Sequence, residues 1–115
     1  MFFGFGKKKE EKQTGTYICL NESLLQTKDQ EVIRCLNIQA HFNTKDEESA
    51  KQATHDMVRQ CLITTGHAIE SDNAVSKKEQ FEEAVSIEIN RAIAELPFLC
   101  DKVTIEGIGI VEGRR

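Results

Sequence analysis

The chain lacks the long apolar run that a transmembrane helix requires. Its apolar stretches span only a few residues, whereas crossing a bilayer takes roughly 20. It also lacks a secretory apolar segment followed by a cleavage site. These absences predict a soluble, cytoplasmic protein. A length of 115 residues suits one domain with a single modest core.

Concentrated positive charge is absent as well. Fifteen Lys and Arg stand against nineteen Asp and Glu, which gives a formal net charge of -4. The cationic residues are scattered and do not gather on one helix or stripe. Because proteins that bind nucleic acid usually present a basic patch, the composition argues against nucleic acid as a partner.

No two cysteines form a C-x-x-C pair. The four are Cys19, Cys35, Cys61 and Cys100. Two disulfides are conceivable in an exported protein, but a cytoplasmic location favours reduced thiols. Three of them, Cys19, Cys61 and Cys100, lie within apolar patterns, which predicts small core residues rather than reactive groups.

Motifs for phosphate binding, metal binding or catalysis are also missing. The glycines of "EGIGIVEG" lack the G-x-G-x-x-G spacing and the following helix that a phosphate loop needs. His55 and Cys61 are six residues apart, which is poor spacing for zinc. Cys61 could meet His67 across a helix end, but an apolar stripe raises a thiol pKa. We therefore predict no catalytic residue, no metal and no cofactor.

The first 13 residues, "MFFGFGKKKEEKQ", show neither helical nor strand periodicity. They predict a flexible tail over 1–13, followed by a single α+β domain over 14–115. A second hypothesis is weak peripheral contact with a membrane, in which aromatic rings insert and lysines meet anionic headgroups. A docking strand for a partner is a third. The residues of the membrane hypothesis are Phe2, Phe3, Phe5, Lys7, Lys8 and Lys9.

Two strands are predicted next. The β-branched and aromatic run over 14–20 predicts a strand that closes at 21–23. The segment over 32–42 alternates, which is typical of a half-buried strand. Its predicted core face holds Val32, Leu36, Ile38, Ala40 and Phe42. Its predicted wet or partnered face holds Ile33, Cys35, Asn37, Gln39 and His41.

A first helix is predicted over 45–65. Thr44 and Glu47 have the spacing of a capping box, and acidic residues fill the first turn. Apolar residues follow at steps of three and four, and Gly66 ends the pattern.

A second capping-box spacing, Ser76 with Glu79, predicts another helix that ends at Pro97. Its apolar stripe runs from Phe81 to Leu96. Ile87 lies off this stripe, which suggests that the helix contacts something on a second side.

The terminal strand changes the phase of its alternation. Val103 and Ile105 occupy odd positions, and Ile108 and Ile110 occupy even ones. An extra residue in one strand shifts alternation by one, and glycine is common there. We therefore predict a β-bulge at Gly107 that keeps both halves of the strand facing the core.

These elements predict an α+β fold with a three- to four-stranded antiparallel or mixed sheet packed against two amphipathic helices. The predicted core comprises Phe42, Met57, Leu62, Phe81, Ile89, Ile93, Val103 and Ile105.

The order of elements resembles the FliL-type domain of bacterial flagellar basal-body proteins, and more loosely the stomatin/prohibitin domain. "RCLNIQAHFNTKDEESAKQ" is similar to that family's alternating strand and acidic helix start. "QFEEAVSIEINRAIAE" is similar to its second helix, and "DKVTIEGIGI" to its closing strand. Over residues 30–112, the resemblance implies a non-catalytic domain that self-associates and contacts membrane-embedded machinery.

We therefore predict a non-enzymatic assembly or scaffold module that forms a homo-oligomer, either an isologous dimer or a ring. The segment "IGIV" carries no charge to blunt an exposed sheet edge. The predicted interface residues are Ile87, Ile108 and Ile110. Two alternatives stay open: coverage of that edge by the N-terminal segment of the same chain, and a small cytosolic enzyme or ligand-binding protein with a polar pocket.

Overall fold

Residues 16–44 and 53–111 form three strands and three helices. The computed structural model describes residues 16–44 and 53–111. The elements, in chain order, are β1 (Thr16–Gln26), β2 (Val32–Phe42), α1 (His55–His67), α2 (Ser71–Ser76), α3 (Lys78–Ala92) and β3 (Cys100–Ile110). The strands form one antiparallel sheet in the order β1-β2-β3. The helices pack on it, so the predicted α+β fold is confirmed.

The core lies between the helices and one face of the sheet. α3 buries Phe81, Val85 and Ile89, and α1 buries Val58 and Leu62. Of the predicted core, the fully buried members are Phe42, Leu62, Phe81, Ile89, Ile93, Val103 and Ile105. Met57 is partly buried against the same cluster. Within the described ranges, no helix is long and apolar enough to cross a membrane.

All three strands change their alternation at the same level of the sheet. Leu20, Ile38 and Ile105 pair across the strands and are buried. On the other side of this level, the paired residues facing the helices are Ser23, Cys35 and Ile108. In each strand, the residues that face the helices therefore change between even and odd numbers at this level, while the same face of the sheet stays against the helices.

In β2, this change coincides with the left-handed backbone of Asn37. Its φ is 52°, in the left-handed region that Asn tolerates better than most side chains. The pairs on either side, Leu36 with Gly107 and Ile38 with Ile105, keep one register. No residue is inserted, so the strands turn over together at this level.

The bulge predicted at Gly107 is therefore wrong. The register shift between β2 and β3 lies instead at His41/Phe42. The predicted faces of β2 are also wrong in its first half, where Ile33 is buried and Leu36 is exposed. Simple alternation gives the wrong face after a residue that turns the strand over.

The helix starts differ from the capping-box predictions. α1 begins at His55, where the Thr54 hydroxyl accepts a hydrogen bond from the Met57 N–H at 3.2 Å. Residues 53 and 54 are not helical, so a continuous helix over 45–65 is wrong; residues 45–52 lie outside the described residues. α1 also continues through Gly66 to His67.

The second capping box does not form. α3 has Lys77 as its N-cap, with no side-chain cap bond, and the Ser76 hydroxyl donates to the Asp72 carbonyl at 2.8 Å. Ser76 instead ends α2, a short helix that the sequence patterns did not predict. β1 likewise continues to Gln26, past its predicted close at 21–23.

Hydrogen bonds to Asp29 connect the β1–β2 turn to the start of α2. Its carboxylate accepts hydrogen bonds from the Thr27 hydroxyl, the Ser71 hydroxyl at 2.7 Å and the Ser71 N–H at 3.0 Å. The Lys28 N–H donates to the Ile69 carbonyl at 2.9 Å beside it. The Thr27 hydroxyl, followed by the Ser71 hydroxyl, lowers the pKa of Asp29 from 3.8 to about 2.

We expect this carboxylate to make stability acid-sensitive. Because the pKa of Asp29 is lower in the folded chain, its contribution is complete above about pH 4 and is lost as the pH falls towards 2. Urea midpoints of the wild type and Asp29→Asn test this at about pH 6 and pH 2.5. Asp29→Asn should be less stable at the higher pH and lose less on acidification. Equal acid losses in the two proteins would rule the mechanism out, with Asp72→Asn as the control on α2.

Candidate functional site

One face of the sheet is turned away from the helices, and we call it the open face. Leu24 and Leu36 are its exposed aliphatic residues, with 56% and 41% of their surfaces exposed. Leu36 pairs with Gly107, and Leu24 lies in the next row, which ends at Gly109. A Cβ built on either glycine would meet no atom within 4 Å, so bare backbone lies beside Leu36, whereas Arg34 lies between Leu24 and Gly109.

A shallow groove of about 520 Å³ lies over this part of the sheet. It is lined by Arg34, Leu36, Gly107, Ile108, Gly109 and neighbouring residues to Val111. Arg34 Nε is 2.7 Å from a carboxylate oxygen of Glu22, and both side chains are about half exposed. Such an exposed pair contributes little stability. The apolar and backbone surface beside it is what the groove offers to a partner.

The other half of the open face is aromatic and polar. The rings of Tyr17 and His41 lie with centroids 5.5 Å apart. Burial, followed by the charge of Lys102, lowers the pKa of His41. The His41 ring lies beside that of Tyr17 on the sheet surface, tilted by 32°.

The outer edge of β3 is bonded by side chains of α3 along its first half. Asn90 Oδ1 accepts from the Cys100 N–H at 2.7 Å, and Asn90 Nδ2 donates to the Cys100 carbonyl at 3.1 Å. Further along, the Ile105 N–H donates to Glu82 Oε2 at 2.7 Å, and Lys78 Nζ donates to the Ile105 carbonyl at 2.6 Å. These side chains satisfy backbone groups that an adjacent strand would otherwise bond.

The second half of this edge has a different environment. The Val111 N–H donates to the Val32 carbonyl at 2.8 Å, so this pair is hydrogen-bonded across the sheet. Antiparallel pairs alternate between bonded and non-bonded. The N–H and C=O groups of Ile108 and Ile110 therefore point away from β2, towards the free edge. Among the residues that the structure describes, no hydrogen bond to these outward groups is present.

The structure separates the predicted interface residues. Ile87 is 53% exposed on the side of α3 away from its buried residues. Ile110 is 39% exposed, and Ile108 is partly buried against the core. The two strand residues thus share one edge, and Ile87 lies on a helix surface. Phe2, Phe3, Phe5, Lys7, Lys8 and Lys9 lie outside the described residues.

The cysteines are all free, and three are buried. Burial raises the pKa of Cys35 to about 12 and those of Cys61 and Cys100 to about 11. The core prediction is confirmed for Cys61 and Cys100 but is wrong for Cys19, which is exposed. Ile18 and Leu20 take the positions of β1 that face the helices. Cys19 lies between them, so it faces the opposite side of the sheet.

Thiol reactivity should follow this burial. In the native protein at about pH 8, we expect rapid alkylation of one thiol by iodoacetamide, because the reagent must reach the sulfur and Cys19 is the exposed cysteine of the four. Peptide mapping after a short pulse identifies the labelled position. Four labels should appear after unfolding. Rapid native labelling of Cys35, Cys61 or Cys100 would contradict the described core.

Metal ligands do not converge in the part of the chain that the structure describes: no group of three or more His, Cys, Asp or Glu side chains there could hold an ion. No family model and no curated protein matches this chain. The FliL-type resemblance therefore stays a prediction.

Sequence reasoning identified the edge strand but missed the open face. Leu36 was assigned to the core, and Leu24 lay in a segment with no clear pattern. The available signal was Asn37, since an Asn within an otherwise apolar strand can mark a left-handed residue. The contacts of Asn90, Glu82 and Lys78 with β3 join elements far apart in sequence, which no local pattern reveals.

Proposed function

We propose that this chain is a non-enzymatic assembly module that self-associates through exposed apolar side chains, with Ile108 and Ile110 at the centre of the interface. The observation that carries this proposal is that the two halves of the outer β3 edge differ in their hydrogen bonding. Side chains of α3 bond its first half, and the described residues leave its second half open beside Ile110. Natural proteins usually protect such an edge, and a partner can supply that protection.

The exposed leucines of the open face support the same proposal. Leu36 adjoins the Gly107 backbone, so exposed apolar surface on this face reaches the edge strand, and Leu24 adds a second exposed apolar side chain on β1. Contiguous apolar surface on a small protein is typical of an interaction site. Ile87 offers a second exposed apolar position on α3, but it lacks the adjoining outward backbone groups.

The proposal also includes a cytoplasmic location and, from the FliL-type resemblance, contact with membrane-embedded machinery. The segment that would touch a membrane is "MFFGFGKKK". Flotation with anionic vesicles tests this part separately. We expect the wild type to bind the vesicles and a Phe2→Ser/Phe3→Ser/Phe5→Ser variant to lose this binding. If the wild type does not bind at any lipid concentration, membrane contact through this segment is ruled out.

Sedimentation velocity across micromolar concentrations tests self-association. We expect a species of at least twice the 13.0 kDa chain mass, which dissociates on dilution. A monomer at every concentration would overturn the proposed function. The measurement needs the full chain under reducing conditions, because the exposed Cys19 could otherwise join two copies covalently.

A further inference from the structure

We infer that a second copy of this chain binds by adding its own β3 antiparallel to β3, with the two-fold axis at Gly109, so that two three-stranded sheets become one six-stranded sheet. This inference rests on the proposed function and specifies its geometry. The occupant is committed: a second copy of the same strand, and not a peptide of another protein.

The backbone of this segment has the pattern that such pairing needs. The groups of Ile108 and Ile110 point outward, as the Val111–Val32 bond and the alternation of an antiparallel ladder require. A two-fold axis at Gly109 places Ile108 of one copy opposite Ile110 of the other. Each such pair exchanges two hydrogen bonds, so the two symmetric pairs form four.

The side chains complement one another across the same axis. Ile108 and Ile110 pair within the sheet with Cys35 and Ile33, both of which are buried against the helices. Antiparallel addition therefore sets Ile108 of one copy beside Ile110 of the other on the helix side of the sheet. The part of Ile110 that is exposed in the single chain becomes buried, and the two cores become continuous.

The charge of this segment is compatible with pairing to a second copy. The segment from Gly107 to Val111 carries no charged side chain, so pairing with itself sets no like charges directly opposite within it. On the opposite surface, Gly107 and Gly109 present no side chain that could clash with the incoming strand. The axis passes midway between the two Gly109 Cα atoms, which form a non-bonded pair at the close separation of about 4.5 Å.

The extent of pairing is set by α3. At Cys100 and Ile105, the outward N–H and C=O groups are already bonded to Asn90, Glu82 and Lys78. A strand cannot extend over that part of the edge without displacing these side chains. The added strand is therefore confined to the open end of β3, which makes the product a closed pair of subunits rather than a growing fibre.

Two charge-introducing variants at exposed isoleucines test this geometry. Ile110→Lys puts a cation at the centre of the paired strands, and Ile87→Glu introduces a charge on α3. Both side chains are already partly exposed, so circular dichroism and the urea midpoint should show that both variants fold. We expect Ile110→Lys to weaken dimerisation at least tenfold and Ile87→Glu to leave it within about twofold of wild type.

Other outcomes separate this inference from the proposed function. Loss of association in Ile87→Glu, or dimerisation unchanged in both variants, overturns strand pairing while self-association stands. A wild-type monomer overturns both. If Ile110→Lys fails to fold, Ile110→Thr keeps a β-branched side chain and should weaken dimerisation to a smaller degree. If Ile110→Thr folds and dimerises as tightly as the wild type, or more tightly, the result also contradicts pairing through β3.

Discussion

Phe81→Ala should lower the free energy of unfolding by about 3–5 kcal/mol. Phe81 is among the largest fully buried side chains, and it lies on the α3 face that packs into the core. Truncation removes its transfer free energy and leaves a cavity that rigid surroundings fill only in part. In a small domain, a loss of this size is a large fraction of the total stability.

Urea unfolding of Phe81→Ala, with Ile87→Ala as the matched control on the same helix, measures the effect. Because Ile87 is 53% exposed, its truncation should change stability by at most about 0.5 kcal/mol. A difference below about 1 kcal/mol between the two variants would contradict the assignment of Phe81 to the core.

Asn37→Val should destabilise the fold by about 1–2 kcal/mol, because a β-branched side chain is strained at a φ of 52°. It also removes the hydrogen bond from Asn37 Nδ2 to Glu106. Asn37→Gly accepts the same φ without strain, so it should cost less than Asn37→Val although it loses the same hydrogen bond.

Gln39→Val provides the control for the second prediction. Gln39 is the next residue along β2 on the open face, within regular pairing to Cys19 and Thr104. Valine suits such a strand position, so this variant should be as stable as the wild type. If Asn37→Val matched Gln39→Val in urea, the backbone of Asn37 would not be the cause of the change in alternation.

The sequence patterns predict the interiors of the helices and strands better than the positions where those elements end. The apolar stripe of α3 and the alternation around Ile38 and Ile105 follow directly from burial on one side, which is a local property. The end of β1 was missed because Leu24 faces solvent and Ser23 faces the core. A hydropathy pattern assigns those two positions the opposite way.

The candidate interface was predicted in part. The uncharged segment "IGIV" predicts Ile108 and Ile110 as interface residues, and the structure places them at an edge with outward backbone groups. The half of that edge that α3 bonds could not be predicted, since it depends on Asn90 and Glu82 meeting β3 in space. Ile87 was named for its position off the helical stripe, and it is an exposed residue apart from that edge.

Hydrogen exchange at the amides of Ile108 and Ile110, followed by NMR at two protein concentrations, tests the central claim most directly. These N–H groups point to the outer edge of β3, where no described residue bonds them, so they should exchange quickly in dilute protein and slowly when a second strand bonds them. The Ile105 amide, already bonded to Glu82, should change much less with concentration. Exchange at Ile108 and Ile110 that is fast at both concentrations would contradict pairing through β3.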